Sequence, residues 1–406
     1  MKILVVSGLF SAVRDALQTD GDQAKGMPGF LKAMEFFARR DVELDYIFLT
    51  TIKTDISILD SESKLSFIRP EQIKGILYRG GRVNRYTHNA ILRCQLNKLV
   101  AKVCKENTYD FIYAMTPESV YATELANKLG IPCGMRLFGT FLWSYLRKNG
   151  LKKAKFFFSS EIRAYNTRKA FLLTTNDGSN GNDSYNMFCK DKTLYDFHYW
   201  VNGLDRIAVN EARKAEVQAT VSENDIVYVA TVTPWKRQDR AIEMLKIMKE
   251  RGYTGKLLLV GNIPPESVVY KQELEDLIEK YNLQDQVEFK GSMAREDFLY
   301  LAMKAKVCPL FQDTTNMGNV FHELFGVGAV IVSLNDGSLD GFLEDGKNGF
   351  LVENMEQAAD IAEKLISGEI DAEAIRQAAM ETSKKLLCSW DERFEKELEL
   401  IRNAIK

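Results

Sequence analysis

Val307–Glu323 reads V-C-P-L-F-Q-D-T-T-N-M-G-N-V-F-H-E, and this stretch decides the fold. It begins as a short apolar strand, Val307–Phe311, and continues through a loop into a helix that starts at Gly318. A strand, a loop and a helix in this order form the repeating unit of a parallel α/β sheet. The backbone N–H groups of Gly318, Asn319 and Val320 would point out of the helix N-terminus, where they favour phosphate.

Glu323 follows Gly318 by five residues, which places it about 7.5 Å further along the helix axis. That distance suits a carboxylate that accepts hydrogen bonds from ribose hydroxyls while a diphosphate rests on the amides. An ordinary helix N-terminus with a surface Glu is the alternative for this stretch taken alone. The first hypothesis is a nucleotide-diphosphate ligand.

The first half of the chain alternates short apolar segments with amphipathic ones, which predicts a parallel sheet covered by helices on both faces. The predicted strands are Lys2–Ser7, Leu44–Leu49, Phe111–Met115, Cys133–Leu137 and Phe171–Thr175. The predicted helices are Pro28–Arg39, Thr87–Lys105, Ser119–Leu129 and Ser179–Phe188.

The same alternation restarts after Asn202-Gly203. The predicted strands there are Ile226–Ala230, Lys256–Val260, Gln286–Phe289, Val307–Phe311 and Ala329–Leu334. The predicted helices are Gln238–Arg251, Ser267–Tyr281, Arg295–Ala305, the one beginning at Gly318, and Trp390–Ile405. We therefore predict two Rossmann-like α/β domains that face each other across a cleft, residues 1–200 and 201–388. We expect residues 389–406 to form a helix that returns to the first domain, and Asn202-Gly203 to be either a hinge or a plain turn.

Composition bounds the class of protein. A chain of 406 residues suits two domains, and its 46% apolar content is normal for a soluble protein. No run of about 18 uncharged apolar residues occurs, so we expect no membrane-spanning helix. The six cysteines are scattered without a C-x-x-C pair, which predicts reduced thiols in a cytoplasmic protein and no zinc site.

Charge is distributed unevenly between the two halves. Residues 1–200 hold 29 Lys+Arg and 20 Asp+Glu, a net of +9, and the chain totals of 54 and 56 leave 25 and 36 for residues 201–406, a net of −11. Different partners for the two domains would explain this asymmetry, with an anionic or membrane-bound substrate at the first. Chance drift in surface charge is the alternative.

A basic stretch, Arg147–Lys169, contains eight Lys/Arg and one Glu. Aromatic residues are interleaved with these cations, which suits a surface that contacts anionic lipid. We therefore consider a peripheral membrane contact through residues 143–169. Phenylalanines in the core and lysines on an exposed helix face would give the same pattern. Nucleic-acid binding is not favoured, because the chain offers no other basic groove.

The loop Thr233-Pro234-Trp235-Lys236-Arg237 follows the first strand of the second half and leads into a helix. Loops at this position bind phosphate, and Lys or Arg there can meet a diphosphate. Other motifs are absent or weak. The chain has no G-x-G-x-x-G after its first strand, no P-loop and no G-x-S-x-G elbow. Asp20-Gly21-Asp22 is a poor metal motif, and we expect His88, His198 and His322 to be structural.

Together these stretches resemble a retaining glycosyltransferase of family 4 with the GT-B fold. The motifs that carry the resemblance occur in the order of that family and span nearly the whole chain. They are G-M-P-G at Gly26–Gly29, T-N-D-G at Thr175–Gly178, N-G-L-D at Asn202–Asp205, V-x-x-x-x-P-W-K-R at Val229–Arg237, V-E-F-K-G at Val287–Gly291, T-N-M-G-N-V-F-H-E at Thr315–Glu323 and D-G-K-N-G-F-L-V at Asp345–Val352.

The resemblance implies roles for individual residues. Lys236 would take up the charge of the leaving diphosphate, with Arg237 beside it, and Glu323 would bind the donor ribose. The other implied donor contacts are Thr233, Gly261, Phe289, Lys290, Gly291, Asp313, Thr315, Asn316, Gly318, Asn319 and Val320. The implied acceptor contacts are Gly26, Met27, Arg136, Gly139 and Thr140. No metal and no cofactor would be required.

Two positions depart from the family pattern. Thr315 stands where the family usually has a carboxylate on the donor sugar, and Asp313 or Asn316 is expected to compensate. Thr231 stands where an Arg often pairs with the Lys, which leaves Arg237 as its replacement. These departures put the identity of the donor sugar in question.

The activity that the resemblance implies is transfer of a sugar from a nucleotide-diphosphate sugar, UDP-linked first and GDP-linked next, to a hydroxyl of a glycan or polyprenyl-linked acceptor. Its setting would be bacterial surface polysaccharide or glycolipid synthesis in the cytoplasm, at the inner face of the membrane. The alternatives are a degenerate, non-catalytic partner that binds nucleotide or glycan, and a sugar-nucleotide epimerase.

Overall fold

The structure is a computed structural model that describes residues 1–10, 13–14, 28–53, 65–80, 86–87, 89–313 and 315–406. The chain divides into two compact units. The first unit contains Met1–Asn202 together with Trp390–Lys406, and the second contains Gly203–Ser389. The second unit is therefore inserted between two parts of the first.

Within the described residues, the first unit holds one sheet of seven parallel strands. In chain order these are β1 (Lys2–Gly8), β2 (Glu43–Thr50), β3 (Ile73–Tyr78), β4 (Phe111–Met115), β5 (Cys133–Leu137), β6 (Phe171–Asn176) and β7 (Asp196–Val201). Their order across the sheet is β3-β2-β1-β4-β5-β6-β7. The strand order reverses direction between β1 and β4, as in a Rossmann sheet.

Helices cover both faces of this sheet. They are α1 (Pro28–Arg39), α2 (Ala90–Glu106), α3 (Val120–Leu129), α4 (Leu142–Asn149), α5 (Leu151–Phe157), α6 (Ser159–Ala164) and α7 (Gly181–Phe188). Along β1, Ile3 and Val5 belong to one core cluster, and Leu4 and Val6 belong to another. All four side chains are fully buried, which is why the strand is a continuous apolar run instead of an alternating one.

The second unit repeats this architecture. Its strands are β8 (Ile226–Val229), β9 (Leu257–Val260), β10 (Val287–Gly291), β11 (Cys308–Leu310), β12 (Ile331–Leu334) and β13 (Phe350–Val352). They form two ladders, β10-β9-β8 and β11-β12-β13, which meet at a parallel bridge between Ile226 and Val307. Val227 N also donates to the Val307 carbonyl at 3.1 Å. The combined order is that of a second Rossmann sheet.

The helices of the second unit are α8 (Glu211–Ala219), α9 (Gln238–Glu250), α10 (Val268–Lys280), α11 (Arg295–Lys304), α12 (Asn319–Gly326), α13 (Met355–Ser367) and α14 (Ala372–Leu386). Side-chain caps begin two of the last three. Asn354 accepts a hydrogen bond from Gln357 N at 3.0 Å, and Asp371 accepts one from Glu373 N at 3.0 Å. Each cap satisfies an N–H group that has no partner inside its helix.

The last helix, α15 (Trp390–Ile405), packs in the first unit. Its buried Phe394, Leu398 and Ile401 join the same core cluster as Phe36 of α1. The rings of Phe36 and Phe394 lie 5.9 Å apart. This helix closes one face of the first sheet.

A buried ionic network also holds α15 to the sheet. Glu397 is fully buried and accepts hydrogen bonds from Arg136 Nη1 of β5 at 3.1 Å and from Arg393 Nη1 at 3.0 Å. Tyr113 of β4 donates to the same carboxylate. One carboxylate thus balances two buried guanidiniums. The network depends on Glu397 for its electrostatic stability.

The predicted α/β class with parallel sheets is confirmed. The sequence-based prediction lacks the edge strands β3 and β7, strand β13, the helices of residues 142–164, and the helices α8, α13 and α14. It also began α2 at Thr87, whereas the helix begins at Ala90, and His88 lies outside the described residues.

Candidate functional site

Lys236 lies in a short turn of 3₁₀ helix, Pro234–Lys236, between β8 and α9. Its ammonium donates to Gln312 Oε1 and lies 3.7 Å from the centroid of the Trp235 ring. Burial lowers the pKa of Lys236 to about 8, because the charged form has lost solvent. The ammonium is still mainly protonated at pH 7, in surroundings where its charge is screened less than in water.

The loop after β11 is hydrogen-bonded to the Lys236 turn. Asp313 N donates to the Trp235 carbonyl at 3.1 Å. The Tyr228 hydroxyl donates to the Lys236 carbonyl and accepts from Phe311 N at 3.3 Å. These bonds hold two loops together at the carboxyl edge of adjacent strands, where ligands of Rossmann sheets bind.

The N-terminus of α12 follows the second loop. Gly318 is its N-cap residue, and a Cβ built on Gly318 would meet no described atom within 4 Å. The first-turn N–H groups, among them that of Val320, have no acceptor inside the helix. Amides of this kind favour an anionic ligand.

The side chain of Asn316 stabilises this loop through buried hydrogen bonds. Its side chain is fully buried, and its Oδ1 accepts from Gln312 N at 2.9 Å. Its Nδ2 donates to Asp336 at 3.1 Å, and its backbone N donates to Ser338 Oγ at 2.9 Å. The prediction that Asn316 compensates for Thr315 by contacting the sugar is corrected, because the amide is committed inside the protein. The Thr315 hydroxyl accepts from Met317 N at 3.1 Å.

Arg237 is engaged by carboxylates. Its guanidinium donates to Asp239 at 2.9 and 2.7 Å and to Asp313 at 2.9 Å. Hydrogen bonds with Asp239 raise the pKa of Arg237 further above its usual range. Asp313 also pairs with Arg240 at 2.8 Å. Arg237 is therefore not an open diphosphate clamp here, and Asp313 is not an open substitute for a carboxylate at position 315.

Glu323 has a partner that was not predicted from the sequence. Its Oε1 lies 2.7 Å from Nε of Arg295, the first residue of α11. Arg295 Nη2 also donates to the Asp205 carbonyl. Arg295 thereby fixes the direction of the carboxylate that was predicted to bind ribose. In the sequence, the one sign of this role was that Arg295 ends the loop after β10 and begins α11, close to the other strand-to-helix loops.

The predicted base pocket is built by backbone. Gly261 N donates to the Gly291 carbonyl at 2.9 Å, and a Cβ at Gly261 would lie 2.0 Å from the Ala230 carbonyl oxygen. Only glycine permits this approach. The Phe289 ring packs against the core of the unit, and Lys290 Nζ is paired with Glu288 at 2.8 Å.

Two threonines complete the site. Thr233 Oγ1 is buried and has no hydrogen-bond partner among the described residues. The Thr231 hydroxyl donates to Asn262 Oδ1 at 3.1 Å. A buried hydroxyl without a partner is costly, and a bound ligand would supply one to Thr233.

Residues 209–383 match the family described as glycosyl transferases group 1. The match covers most of the second unit, including the two joined loops and α12. No curated protein matches the chain.

Solved structures resemble the chain over its whole length. Anabaena HepE in complex with UDP is 17% identical, with 98% of each chain covered and a TM-score of 0.68. The same protein in complex with UDP-glucose gives 17% identity, 98% of this chain, 99% of that chain and a TM-score of 0.67. Sucrose-phosphate synthase from Thermosynechococcus elongatus is 15% identical, covers 99% of this chain and 98% of its own, and has a TM-score of 0.70. At these identities the likeness shows the fold, and it confirms the predicted GT-B class.

The structure places the residues predicted on the acceptor side in different environments. Gly26 and Met27 lie outside the described residues. The prediction that Arg136 contacts an acceptor is corrected, because its side chain is fully buried. Its Nη1 donates to Glu397 and to the Gly29 carbonyl. Thr140 is also buried, and its hydroxyl donates to buried Glu161, whose pKa burial raises to about 7.

Gly139 stays a predicted acceptor contact. Its φ is +109°, and a Cβ there would lie 2.1 Å from Asp177 Oδ2. Glycine is therefore required at this position for both backbone conformation and space.

The sequence also predicts that Asp20-Gly21-Asp22 is a poor metal motif and that the histidines are structural. The described residues contain no group of three or more His, Cys, Asp or Glu that could hold a metal, and Asp20-Gly21-Asp22 lies outside them. His322 is buried, and burial lowers its pKa to about 4. Neither of its ring nitrogens has a hydrogen-bond partner in the described part of the chain.

Proposed function

We propose that the second unit binds a nucleotide-diphosphate sugar and that the protein transfers its sugar to an acceptor hydroxyl with retention of anomeric configuration. The observation that carries this proposal is the hydrogen-bonded pairing of the Lys236 turn with the loop that leads into α12. This pairing falls inside the stretch that matches glycosyl transferases group 1. UDP is the favoured nucleotide, supported by the UDP complexes of HepE, and GDP is the next.

The proposed chemistry needs little acid–base catalysis. The Lys236 ammonium meets the diphosphate and neutralises the charge that develops as the sugar departs. The first-turn amides of α12 bind the same phosphates, and the Thr233 hydroxyl donates to one of their oxygens. Glu323 accepts hydrogen bonds from the ribose hydroxyls. In this proposal the protein groups suffice for the diphosphate, and no metal or cofactor is required.

The proposed acceptor is a hydroxyl of a glycan or a polyprenyl-linked glycan. Bacterial surface polysaccharide or glycolipid synthesis, in the cytoplasm at the inner face of the membrane, is the setting in which such acceptors occur. The resemblance to family 4 and the net positive charge of residues 1–200 support this part of the proposal.

The first experiment is a thermal-shift screen of the purified protein against UDP, GDP, ADP and their common sugar conjugates. Sugar transfer or donor hydrolysis is then assayed with the nucleotide that stabilises the protein. Lys236→Ala should lower turnover about 10²–10³-fold, since it removes a preorganised charge from the leaving group. Lys246→Ala is the matched control, because Lys246 lies on α9 in an exposed pair with Glu250. Near-normal turnover in Lys236→Ala would contradict the assignment.

A degenerate, non-catalytic partner protein is the second candidate. It is favoured by Thr315 and Thr231 in place of the usual charged residues, and by the engagement of Arg237 with Asp239 and Asp313. Nucleotide binding without hydrolysis or transfer, over a broad set of donors and acceptors, would select this candidate.

A further inference from the structure

The first unit carries a strongly basic surface on residues 141–160, which include α4 and α5. Five of its cations are exposed, and none has an ion pair within the described residues: Arg147, Lys148, Lys152, Lys153 and Lys155. The segment contains no Asp or Glu. Nearby cations behave differently, because Arg163 and Arg93 both pair with Glu124. The absence of carboxylates in this basic surface leaves its positive field uncompensated.

Large apolar side chains are exposed among these cations. Phe141 is 68% exposed, Leu151 40% and Phe157 47%. Other apolar residues of the segment face inward, since Leu142 and Ala154 are fully buried. Phe158 packs against the core, whereas Phe141 and Phe157 do not, so an ordinary helix face with all its phenylalanines in the core does not describe this surface. It presents aromatic and aliphatic groups to solvent beside unpaired lysines.

The aromatic character extends beyond the segment. Tyr86, 72% exposed, lies with its ring centroid 6.5 Å from that of Phe156. Phe156 in turn contacts Phe157 in an edge-to-face arrangement at 5.2 Å. Exposed Phe157 is thus held in place by neighbouring rings. A fixed, half-exposed ring enters an interface with less loss of conformational freedom than a mobile one.

We propose that this basic surface docks on a lipid bilayer that contains anionic headgroups. Lys and Arg side chains meet lipid phosphates as point charges, while Phe and Leu enter the boundary between headgroups and acyl chains. The described helices include none that is long and apolar enough to cross a membrane, so contact through this surface would be peripheral. Nucleic acid fits less well, because an exposed aliphatic side chain such as Leu151 can enter the acyl region of a bilayer but gains little from a phosphate backbone.

The strength of docking follows from the number of cations. Each Lys or Arg near an anionic surface strengthens partitioning about fivefold at moderate ionic strength. Loss of three lysines should then weaken partitioning about 100-fold. Salt should weaken it too, because the cations are exposed and their attraction is screened over about 10 Å at 0.1 M.

The test is sedimentation of the full-length protein with vesicles of phosphatidylcholine alone and of phosphatidylcholine mixed with phosphatidylglycerol. We expect binding to the mixed vesicles only. The variant K152Q/K153Q/K155Q should bind about 100-fold more weakly, and F141S/L151S/F157S should lose the part of binding that survives high salt. The control K98Q/K105Q/K128Q removes the same charge from exposed, unpaired lysines on α2 and α3 and should bind like the wild type.

Three outcomes would overturn the proposal. They are failure of the wild type to bind mixed vesicles, binding of K152Q/K153Q/K155Q as tight as that of the control, and tight binding of a single-stranded oligonucleotide where vesicles do not bind. Thermal unfolding of each variant shows whether the fold is retained. Nucleotide binding, measured on the same preparations, reports on the second unit alone. Failure of docking is thereby distinguishable from failure of the proposed glycosyl transfer.

Discussion

Among single residues, Arg295 acts on the proposed chemistry through the carboxylate of Glu323. It joins Glu323 to the Asp205 carbonyl and so holds the carboxylate in one direction before nucleotide arrives. A preorganised acceptor loses less entropy on binding than a mobile one. We therefore interpret Arg295 as a positioning residue for the ribose contact.

Arg295→Gln should weaken UDP binding about 10-fold, because Glu323 loses a charge-assisted partner and its orientation. Affinity for 2′,3′-dideoxy-UDP should stay unchanged. The preference of the protein for UDP over this analogue should therefore be largely lost, as it would be in Glu323→Ala. Isothermal titration of both nucleotides measures this difference. Arg213→Gln is the control, since Arg213 pairs with Asp297 on the same helix α11. Equal losses for both nucleotides would indicate a merely structural role for Arg295.

His322 should make the second unit sensitive to acid. Its pKa is about 4 in the folded protein, below the unfolded value of about 6.5, so the unfolded chain binds the proton more readily between these values. The contribution of His322 to the free energy of unfolding is then fully present above about pH 6.5. It falls as the pH drops toward 4, by up to about 1.4 kcal/mol per pH unit. His322→Leu should flatten this dependence and add about 1–3 kcal/mol at pH 7, because two buried nitrogens without partners are removed. Urea unfolding at pH 7 and pH 5 measures both effects, and an unchanged slope would contradict the interpretation.

Among the elements, α15 depends on one carboxylate. Glu397→Gln leaves two buried guanidiniums, Arg136 and Arg393, without a counter-charge. We expect a loss of about 3–5 kcal/mol in the stability of the first unit. Urea unfolding and protease sensitivity of the C-terminal helix would detect this loss. Glu395→Gln is the matched control on the same helix, since its exposed pairs with Arg40 and Arg402 contribute less than about 1 kcal/mol. Equal stability of the two variants would show that the network is not important.

The elements also show what could be predicted from sequence. Strands β1 and β4 are buried on both faces, so their apolar runs are unmistakable. The edge strands β3 and β7 are mostly half-buried and contain Lys74, Gly75 and His198, so neither a run nor a clean alternation marks them. Edge strands pack on fewer neighbours, and their composition is correspondingly less constrained.

The location of the candidate site could be predicted from the sequence, but the ion pairs within it could not. Lys236 and the α12 N-terminus follow strands, so their shared edge could be inferred from topology. The partners of Arg237 and Arg136 could not. Asp313 lies 76 residues from Arg237, and Glu397 lies 261 residues from Arg136. Nothing local distinguishes a cation that faces a ligand from one that faces a distant carboxylate.

At the scale of the whole molecule, every proposed donor contact lies in the second unit. A nucleotide should therefore stabilise that unit and leave the intrinsic stability of the first unchanged. UDP at 100 times its Kd should add about 2.7 kcal/mol to the second unit. Circular dichroism during thermal unfolding should show two transitions, of which UDP raises one. Trp235, the one tryptophan in residues 203–389, reports on that transition by fluorescence. A shift of both transitions by equal amounts would show that the units do not unfold independently.

The return of α15 to the first unit has a consequence for synthesis on the ribosome. Domains generally fold in the order in which they emerge, yet here the unit that emerges first is completed last. Until all of Gly203–Ser389 has been translated, α15 cannot cover the apolar side of the first sheet. During that time Arg136 also lacks the carboxylate of Glu397. A nascent chain that stopped before Trp390 would carry a complete second unit joined to an incomplete first unit. Chaperones and proteases would meet that exposed surface in every round of translation.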